Sequence, residues 1–83
     1  MPPTKAQHTP AYRKLRELLL DMRTHPRLTQ RGLGKKLRKP QSWVYNCETG
    51  NRRVDVTEFI DWCRGCDVVP ENGLTLFLES LDR

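Results

Sequence analysis

Apolar side chains recur at helical spacing in five short segments of this 83-residue chain. No segment alternates apolar and polar residues in the way of a half-buried strand, and no internal repeat is found. A chain of this length has room for only one small core. The pattern therefore predicts an all-α, compact five-helix domain over residues 9–83, preceded by a loose tail over residues 1–8.

Capping residues and helix breakers delimit these segments. Thr9 and Pro10 are typical of an N-cap followed by proline in the first helical turn. Thr29 predicts the N-cap of a second, short helix, and Gly50 predicts the left-handed turn that ends a third. Asp55 begins a capping box that opens a fourth helix. The fifth helix is predicted from four apolar residues: Leu74, Phe77, Leu78 and Leu81.

Charge is divided unevenly along the chain, whose net charge is +5. Residues 1–53 contain 13 basic and three acidic residues, whereas residues 54–83 contain two basic and seven acidic ones, so the first part carries +10 and the second −5. This division indicates a polyanionic partner for one face only. An unevenly charged, solvated surface is the alternative interpretation.

Several protein classes are disfavoured. The longest uninterrupted apolar run, Leu18-Leu19-Leu20, is too short to cross a membrane, and the N-terminal residues lack the apolar stretch of a secretory signal. Three cysteines are an odd number, which argues against a disulfide framework and is typical of a reducing cytoplasm. We therefore expect a cytoplasmic protein that does not bind membranes.

Cys63 and Cys66 form a C-x-x-C pair inside the predicted fourth helix, where cysteine acts as a small hydrophobe. With Cys47 they supply three of the four ligands of a structural zinc site, and only His8 or His25 could complete it. No catalytic triad or phosphate-binding glycine loop is found. We therefore expect no metal, no cofactor and no enzyme activity. The apolar face of this helix is predicted to contain Phe59, Ile60, Cys63 and Cys66.

Two short predicted helices, 30–37 and 41–48, are joined by a tight turn, which is the arrangement of a helix-turn-helix motif. The residues that surround them are Leu28-Thr29-Gln30, Leu33-Gly34, Pro40-Gln41-Ser42-Trp43-Val44, Glu48-Thr49-Gly50 and Arg52-Arg53. This string resembles the phage-repressor (Xre/Cro-like) helix-turn-helix family over about residues 11–81. The resemblance implies a lambda-repressor-like domain, with its motif at about 29–49, that binds double-stranded DNA, commonly as a symmetric dimer.

The resemblance implies base-reading roles in the 41–48 helix. Gln41, Ser42 and Asn46 match positions that reach base edges, although Gln41 and Ser42 are also good residues for a first helical turn. Glutamine and asparagine can form a bidentate pair with adenine, and serine can donate to or accept from several bases. Tyr45 is a further base-reading candidate and Trp43 a phosphate-contacting one. Either aromatic could instead pack sideways against the domain or form a partner interface.

The resemblance also implies phosphate contacts and one ion pair. Gln30 matches a glutamine that contacts a phosphate and braces the recognition helix. Arg23 and Glu48 match a structural pair in which an arginine of the first helix orients the recognition helix. Further phosphate contacts are expected from residues that flank this helix, with a solvated basic surface as the alternative: Lys35, Lys39, Asn51, Arg52 and Arg53.

Three positions depart from the family pattern. Arg38 and Asp67 stand where glycine is common, and glycine supplies a left-handed backbone conformation there. We therefore expect the turn at Arg38 to be strained and shaped differently. Gly34 replaces a small alanine, which keeps close packing possible.

These observations predict a sequence-specific transcriptional regulator of bacterial or phage type, associated with the nucleoid, whose 41–48 helix enters the DNA major groove. A homodimer is expected, with the apolar stripe of the last helix as its surface, unless that stripe only closes the core. The alternative is a protein-interaction module, such as the antitoxin component of a toxin–antitoxin pair, with its main contact in the acidic part. A small nucleic-acid enzyme is disfavoured because the acidic residues lie mostly beyond residue 54.

Overall fold

The computed structural model describes residues 9–82 and contains five α-helices and no strand within that range. The all-α prediction is therefore confirmed, whereas the predicted loose tail of residues 1–8 lies outside the described residues. The third helix ends one residue later than predicted. The helices are α1 (Pro10–Thr24), α2 (Gln30–Leu37), α3 (Gln41–Thr49), α4 (Val56–Gly65) and α5 (Pro70–Leu81).

The predicted helix caps are present. The hydroxyls of Thr9 and Thr29 each accept a hydrogen bond from a backbone amide in the first turn of their helix. Asp55 and Glu58 form both hydrogen bonds of the capping box at the start of α4. Each cap satisfies a backbone donor that the helix leaves without a partner, which stabilises a helix by about 1 kcal/mol. Local sequence signals therefore determine where α1, α2 and α4 begin.

Trp62 lies in the middle of the core and is fully buried. Its indole N–H donates to the carbonyl oxygen of Leu19 at 3.1 Å, which ties α4 to α1. The prediction for α4 was wrong in omitting Trp62 and including Ile60, which is partly buried but does not pack against the core cluster. The face that packs inward follows the spacing i, i+3, i+4, i+7: Phe59, Trp62, Cys63 and Cys66.

The turn between α2 and α3 keeps a left-handed residue without glycine. Arg38 has φ 58° and ψ 41°, so our expectation of a differently shaped turn is wrong at this residue. Asp67, after α4, has φ 60° and also adopts the left-handed conformation. The Lys39 amide donates to the Gly34 carbonyl oxygen at 2.8 Å. A Cβ atom on Gly34 would lie 2.6 Å from the Lys39 carbonyl oxygen, so the turn packs directly on the glycine.

The helix packing exposes α3 on one side of the domain. α2 packs against α3 and α4, while α1 packs against α3 and α5. α5 also contacts α4, but among its described residues only Gly73 is buried. None of the helices within residues 9–82 is both long and apolar enough to span a membrane.

Candidate nucleic-acid interface

α3 has a buried and an exposed face. Two of its apolar side chains, Val44 and Cys47, are fully buried. The predicted base-reading residues lie on the remaining surface, with Gln41, Ser42 and Tyr45 exposed and Asn46 half-buried. Because residues four apart are neighbours on a helix, Gln41 and Tyr45 lie side by side, as do Ser42 and Asn46.

A continuous hydrogen-bond network leads from α1 to the first residue of α3. Arg23 Nε donates to Glu48 Oε2 at 2.5 Å, and Arg23 Nη2 donates to Glu48 Oε1 at 3.0 Å. Gln30 Nε2 donates to the same Glu48 Oε1 at 2.9 Å. Gln41 Nε2 then donates to Gln30 Oε1 at 2.6 Å. The structure therefore brings together both members of the predicted ion pair, the predicted bracing glutamine and one predicted base reader.

The ion pair of this network is largely shielded from water. The Arg23 and Glu48 side chains are 12% and 6% exposed. Arg23 Nη1 also donates to the Leu28 carbonyl oxygen at 2.8 Å, so all three nitrogens of the guanidinium have acceptors. Breaking a buried pair leaves one charge uncompensated, which typically costs about 3–5 kcal/mol. The pair therefore holds α1, the end of α3 and the residues before α2 in one arrangement.

Gln41 is oriented by this network rather than left to rotate freely. One N–H of its amide is used by Gln30, and within residues 9–82 its Oε1 and second N–H have no hydrogen-bond partner. These two groups are the acceptor and donor that a bidentate contact to adenine uses. An ordered side chain also loses less conformational entropy when it binds.

Trp43 packs sideways against the domain. Its ring centroid lies 6.1 Å from that of Trp62, and its Nε1 atom is buried with no hydrogen-bond partner among the described residues. The indole therefore has no exposed donor for a phosphate. Lys39 Nζ and Arg52 Cζ lie 5.3 Å and 5.1 Å from the ring centroid, at cation–π distance. Trp43 thus supports two cations that were themselves predicted to contact phosphates.

Arg52 is engaged by an acidic residue of α4. Its Nη1 and Nη2 atoms each lie 3.0 Å from one oxygen of Glu58, and Nη1 also donates to the Arg53 carbonyl oxygen at 2.8 Å. The hydrogen bond from Arg52 holds the pKa of the Glu58 carboxyl below its usual value. The sequence analysis did not foresee this pair, which forms across the loop between α3 and α4. Arg52 therefore has a structural partner as well as a partly exposed side chain.

The other predicted contacts surround α3. Asn51 Nδ2 donates to Asn46 Oδ1 at 3.4 Å, which links a predicted phosphate contact to a predicted base reader. Lys39, Asn51 and Arg53 are exposed on either side of α3 in sequence. Lys35 is exposed on α2, and in the part of the chain that the structure describes it makes no hydrogen bond or ion pair with the other predicted residues.

Arg16 of α1 lies beside the same face, and sequence reasoning missed it. A Cβ atom on Gly50, which ends α3 with φ 84°, would lie 3.2 Å from Cδ, Nε and Cζ of Arg16. The sequence places Arg16 on the polar side of α1. The signal that could have found it is its spacing of four residues from the core residue Tyr12, which places the two on one side of the helix.

The three cysteines belong to the core, as predicted. All three are free thiols, and burial raises the pKa of each to about 11. A thiol with so high a pKa is a poor nucleophile and a poor metal ligand at neutral pH. Over residues 9–82 no group of three or more potential metal ligands is found.

Comparisons with known proteins agree with this geometry. A family model described as a helix-turn-helix domain matches residues 14–75. A solved structure, of an XRE-family like protein from Pseudomonas syringae pv. tomato str. DC3000, is 39% identical in sequence. It superposes with a TM-score of 0.82 and covers 93% of this chain and 94% of its own. No curated protein matches the chain at a significant level. The chain belongs to the Xre/Cro-like helix-turn-helix family, which consists of DNA-binding regulators rather than enzymes.

Proposed function

We propose that the protein is a sequence-specific regulator of transcription that inserts α3 into the major groove of double-stranded DNA and acts as a homodimer in the cytoplasm, at the nucleoid. The observation that carries this proposal is the orientation of Gln41. Its amide extends from the exposed N-terminal end of α3, held by Gln30 and Glu48, with one donor and one acceptor free.

Four residues of α3 read bases in this proposal. Gln41 pairs with adenine through its free Oε1 and N–H, which discriminates against a wrong base by about 1–3 kcal/mol. Ser42 and Tyr45 contact neighbouring base edges or a thymine methyl group. Asn46 reads one turn further along, steadied by its hydrogen bond from Asn51.

The flanking residues position the domain on the DNA backbone. Lys35, Lys39, Asn51 and Arg53 contact phosphates, together with Gln30 at the start of α2. Trp43 contributes by holding Lys39 and Arg52 against its ring. The Arg52 guanidinium contacts both a DNA phosphate and the Glu58 carboxylate in this proposal. Because phosphate contacts release counterions, this part of the binding energy falls with salt and does not depend on sequence.

Selection of bound duplexes from fragmented genomic DNA of the source organism tests this proposal. The wild-type protein is compared with a Gln41→Ala, Asn46→Ala double variant and with a Glu79→Ala variant, which changes an exposed residue of α5. We expect enrichment of one two-fold-symmetric site by the wild type and by the Glu79→Ala control, and no enrichment by the double variant. Salt-sensitive binding without any enriched sequence would refute sequence-specific regulation.

The dimer is proposed to form through α5. Four of its leucines are 39–52% exposed, whereas Phe77 is partly buried. A groove of about 520 Å³ lies beside them, lined by α1, α4 and α5. Leu74, Leu78 and Leu81 lie on one face of α5, whereas Leu76 lies on the opposite face. Exposed apolar surface of this kind marks interaction sites. The exposed leucines are Leu74, Leu76, Leu78 and Leu81.

Sedimentation of the wild type and of Leu78→Glu tests this arrangement. We expect a wild-type dimer and a folded Leu78→Glu monomer with an unchanged circular dichroism spectrum, because Leu78 is exposed within the protomer. An Asn72→Glu variant adds the same charge at an exposed position on the other side of α5 from Leu74 and Leu78, and it should remain dimeric. A monomeric wild type at high concentration would contradict the dimer.

The same exposed apolar surface favours a second candidate, a protein-interaction module such as an antitoxin. Acidic residues, Asp55 and Glu71, outnumber basic ones on the lining of the groove, so its partner would combine apolar side chains with mainly basic ones. This candidate predicts a wild type that is monomeric alone and that enriches no DNA sequence. The two experiments above therefore separate the candidates.

A further inference from the structure

Two arginines, Arg16 and Arg53, lie near the C-terminal end of α3. The guanidinium of Arg16 packs against Gly50, the residue that ends this helix. Arg53 Cζ lies 6.0 Å from the centroid of the Tyr12 ring. Tyr12 and Arg16 are four residues apart on α1 and therefore lie on one side of it. The two arginines, one from α1 and one from the loop after α3, therefore both lie near Tyr12.

The loop that carries Arg53 is tied to α1 at this point. The Val54 amide donates to the Tyr12 hydroxyl at 2.7 Å, in a buried hydrogen bond. Val54 is itself part of the core. The backbone next to Arg53 is therefore fixed relative to α1, so the two arginines extend from segments whose relative position is set before any ligand binds.

No carboxylate neutralises these two charges. The ion pairs among residues 9–82 are Arg23 with Glu48 and Arg52 with Glu58, and neither includes Arg16 or Arg53. Arg16 Nε is buried and has no acceptor in the described part of the chain. A buried donor without a partner is unfavourable, and more so when it is charged. The two terminal nitrogens of Arg16 are not buried in this way, so an anion bound to them would supply the missing charge.

We propose that Arg16 binds a phosphate of the DNA backbone beside Arg53, at the C-terminal end of α3. The assignment rests on the proposed DNA-binding function and adds to it a contact from α1, outside the helix-turn-helix motif. Arginine suits this ligand because its planar guanidinium can form two parallel hydrogen bonds to phosphate oxygens. The phosphate lies next to the base pair nearest Asn46, at the opposite end of α3 from Gln41.

Binding of the selected duplex at several salt concentrations tests this assignment. The variants are Arg16→Gln, Arg16→Lys and Arg64→Gln, the last of which removes one positive charge from an exposed position on α4. We expect Arg16→Gln to reduce the slope of log K against log salt by about 1. Arg16→Lys should keep most of the slope because it keeps the charge, and Arg64→Gln should keep all of it.

A duplex with one neutral methylphosphonate, moved along the backbone, identifies the phosphate. We expect one position at which the wild type binds about tenfold more weakly, as loss of a charged hydrogen bond implies. Arg16→Gln should lose much less at that position, because the two changes remove the same contact.

Three results would overturn the assignment, and they differ in meaning. If the wild type binds the duplex and Arg16→Gln keeps its salt slope but melts at a lower temperature, Arg16 only stabilises the end of α3. If every methylphosphonate affects the wild type and Arg16→Gln alike, Arg16 contacts no phosphate. If the wild type shows no salt-dependent binding of any duplex, the DNA-binding function fails as well.

Discussion

The exposed side chains of α3 and those of α5 are held in opposite ways. At α3, Gln41 belongs to a network that extends through Gln30 to a shielded ion pair, and Trp43 supports two cations. At α5, four leucines are 39–52% exposed. Polar side chains that are already ordered by internal hydrogen bonds lose little conformational entropy when they bind a ligand. An exposed apolar surface, in contrast, gains stability only when another surface covers it. The first region is therefore the candidate for DNA and the second the candidate for protein.

Glu48→Ala removes the carboxylate on which the hydrogen-bond network behind α3 depends. The variant leaves Arg23 shielded and without its carboxylate, and Gln30 loses its acceptor. We expect the free energy of unfolding to fall by about 3–5 kcal/mol and DNA binding to be lost with the fold. Thermal melting measures this loss, and Glu79→Ala on α5 is the control. An unchanged melting temperature would show that the pair does not hold the recognition helix in place.

Gly34→Ala tests how closely the turn packs against α2. The added Cβ would lie 2.6 Å from the Lys39 carbonyl oxygen, so the backbone must move. Alanine favours a helix by about 1 kcal/mol over glycine. Overpacking typically costs about 1–3 kcal/mol, so we expect a net loss of stability in urea unfolding. Arg31→Ala, an exposed position of the same helix, should change stability by no more than about 0.5 kcal/mol. A more stable Gly34→Ala variant would contradict this packing.

Arg38→Gly tests the same turn, but here we expect stability to rise rather than fall. Arg38 adopts φ 58°, a conformation that costs a residue with a side chain about 1–2 kcal/mol and costs glycine little. We expect a modest gain in stability, of up to about 1 kcal/mol, since glycine also loses more entropy on folding. Urea unfolding measures the gain. A loss of stability would mean that the Arg38 side chain makes contacts that compensate for its strained backbone.

The sequence predicts those parts of the molecule that depend on near neighbours. Thr9, Thr29 and the Asp55 capping box act on amides three residues away, so the helix starts could be identified from local spacing. The pairing of Arg23 with Glu48 could be anticipated only through the family resemblance, because 25 residues separate them. That resemblance also pointed to the recognition helix.

The residues that sequence reasoning missed depend on how the helices pack. Trp62 is fully buried because its indole finds the Leu19 carbonyl oxygen 43 residues away. Arg16 reaches Gly50 only because α1 packs against the end of α3. The sequence predicted only a phosphate contact for Arg52, whereas in the structure the loop after α3 places its guanidinium beside the Glu58 carboxylate. Composition and periodicity carry no information about such distant contacts.

Breaking the Arg52–Glu58 pair, which joins the loop after α3 to α4, should have a smaller and pH-dependent effect on stability. The hydrogen bond from Arg52 lowers the pKa of the folded Glu58 carboxyl below the unfolded value of about 4.3. Its stabilising contribution is therefore present above about pH 4.3 and is lost as the pH falls through the lower folded pKa. Because the Arg52 side chain is 40% exposed, we expect less than about 1 kcal/mol.

Glu58→Gln isolates this charge, since glutamine can still complete a capping box. We expect the variant to be slightly less stable than the wild type at pH 7, and this difference to shrink at pH 2.5 as the wild-type carboxyl takes up its proton. Urea unfolding at the two pH values measures the difference. A difference that is the same at both pH values would mean that Glu58 acts only through its cap. The charge of Arg52 would then add nothing to the stability of the folded protein through Glu58. Its guanidinium would be available for a contact to the DNA backbone.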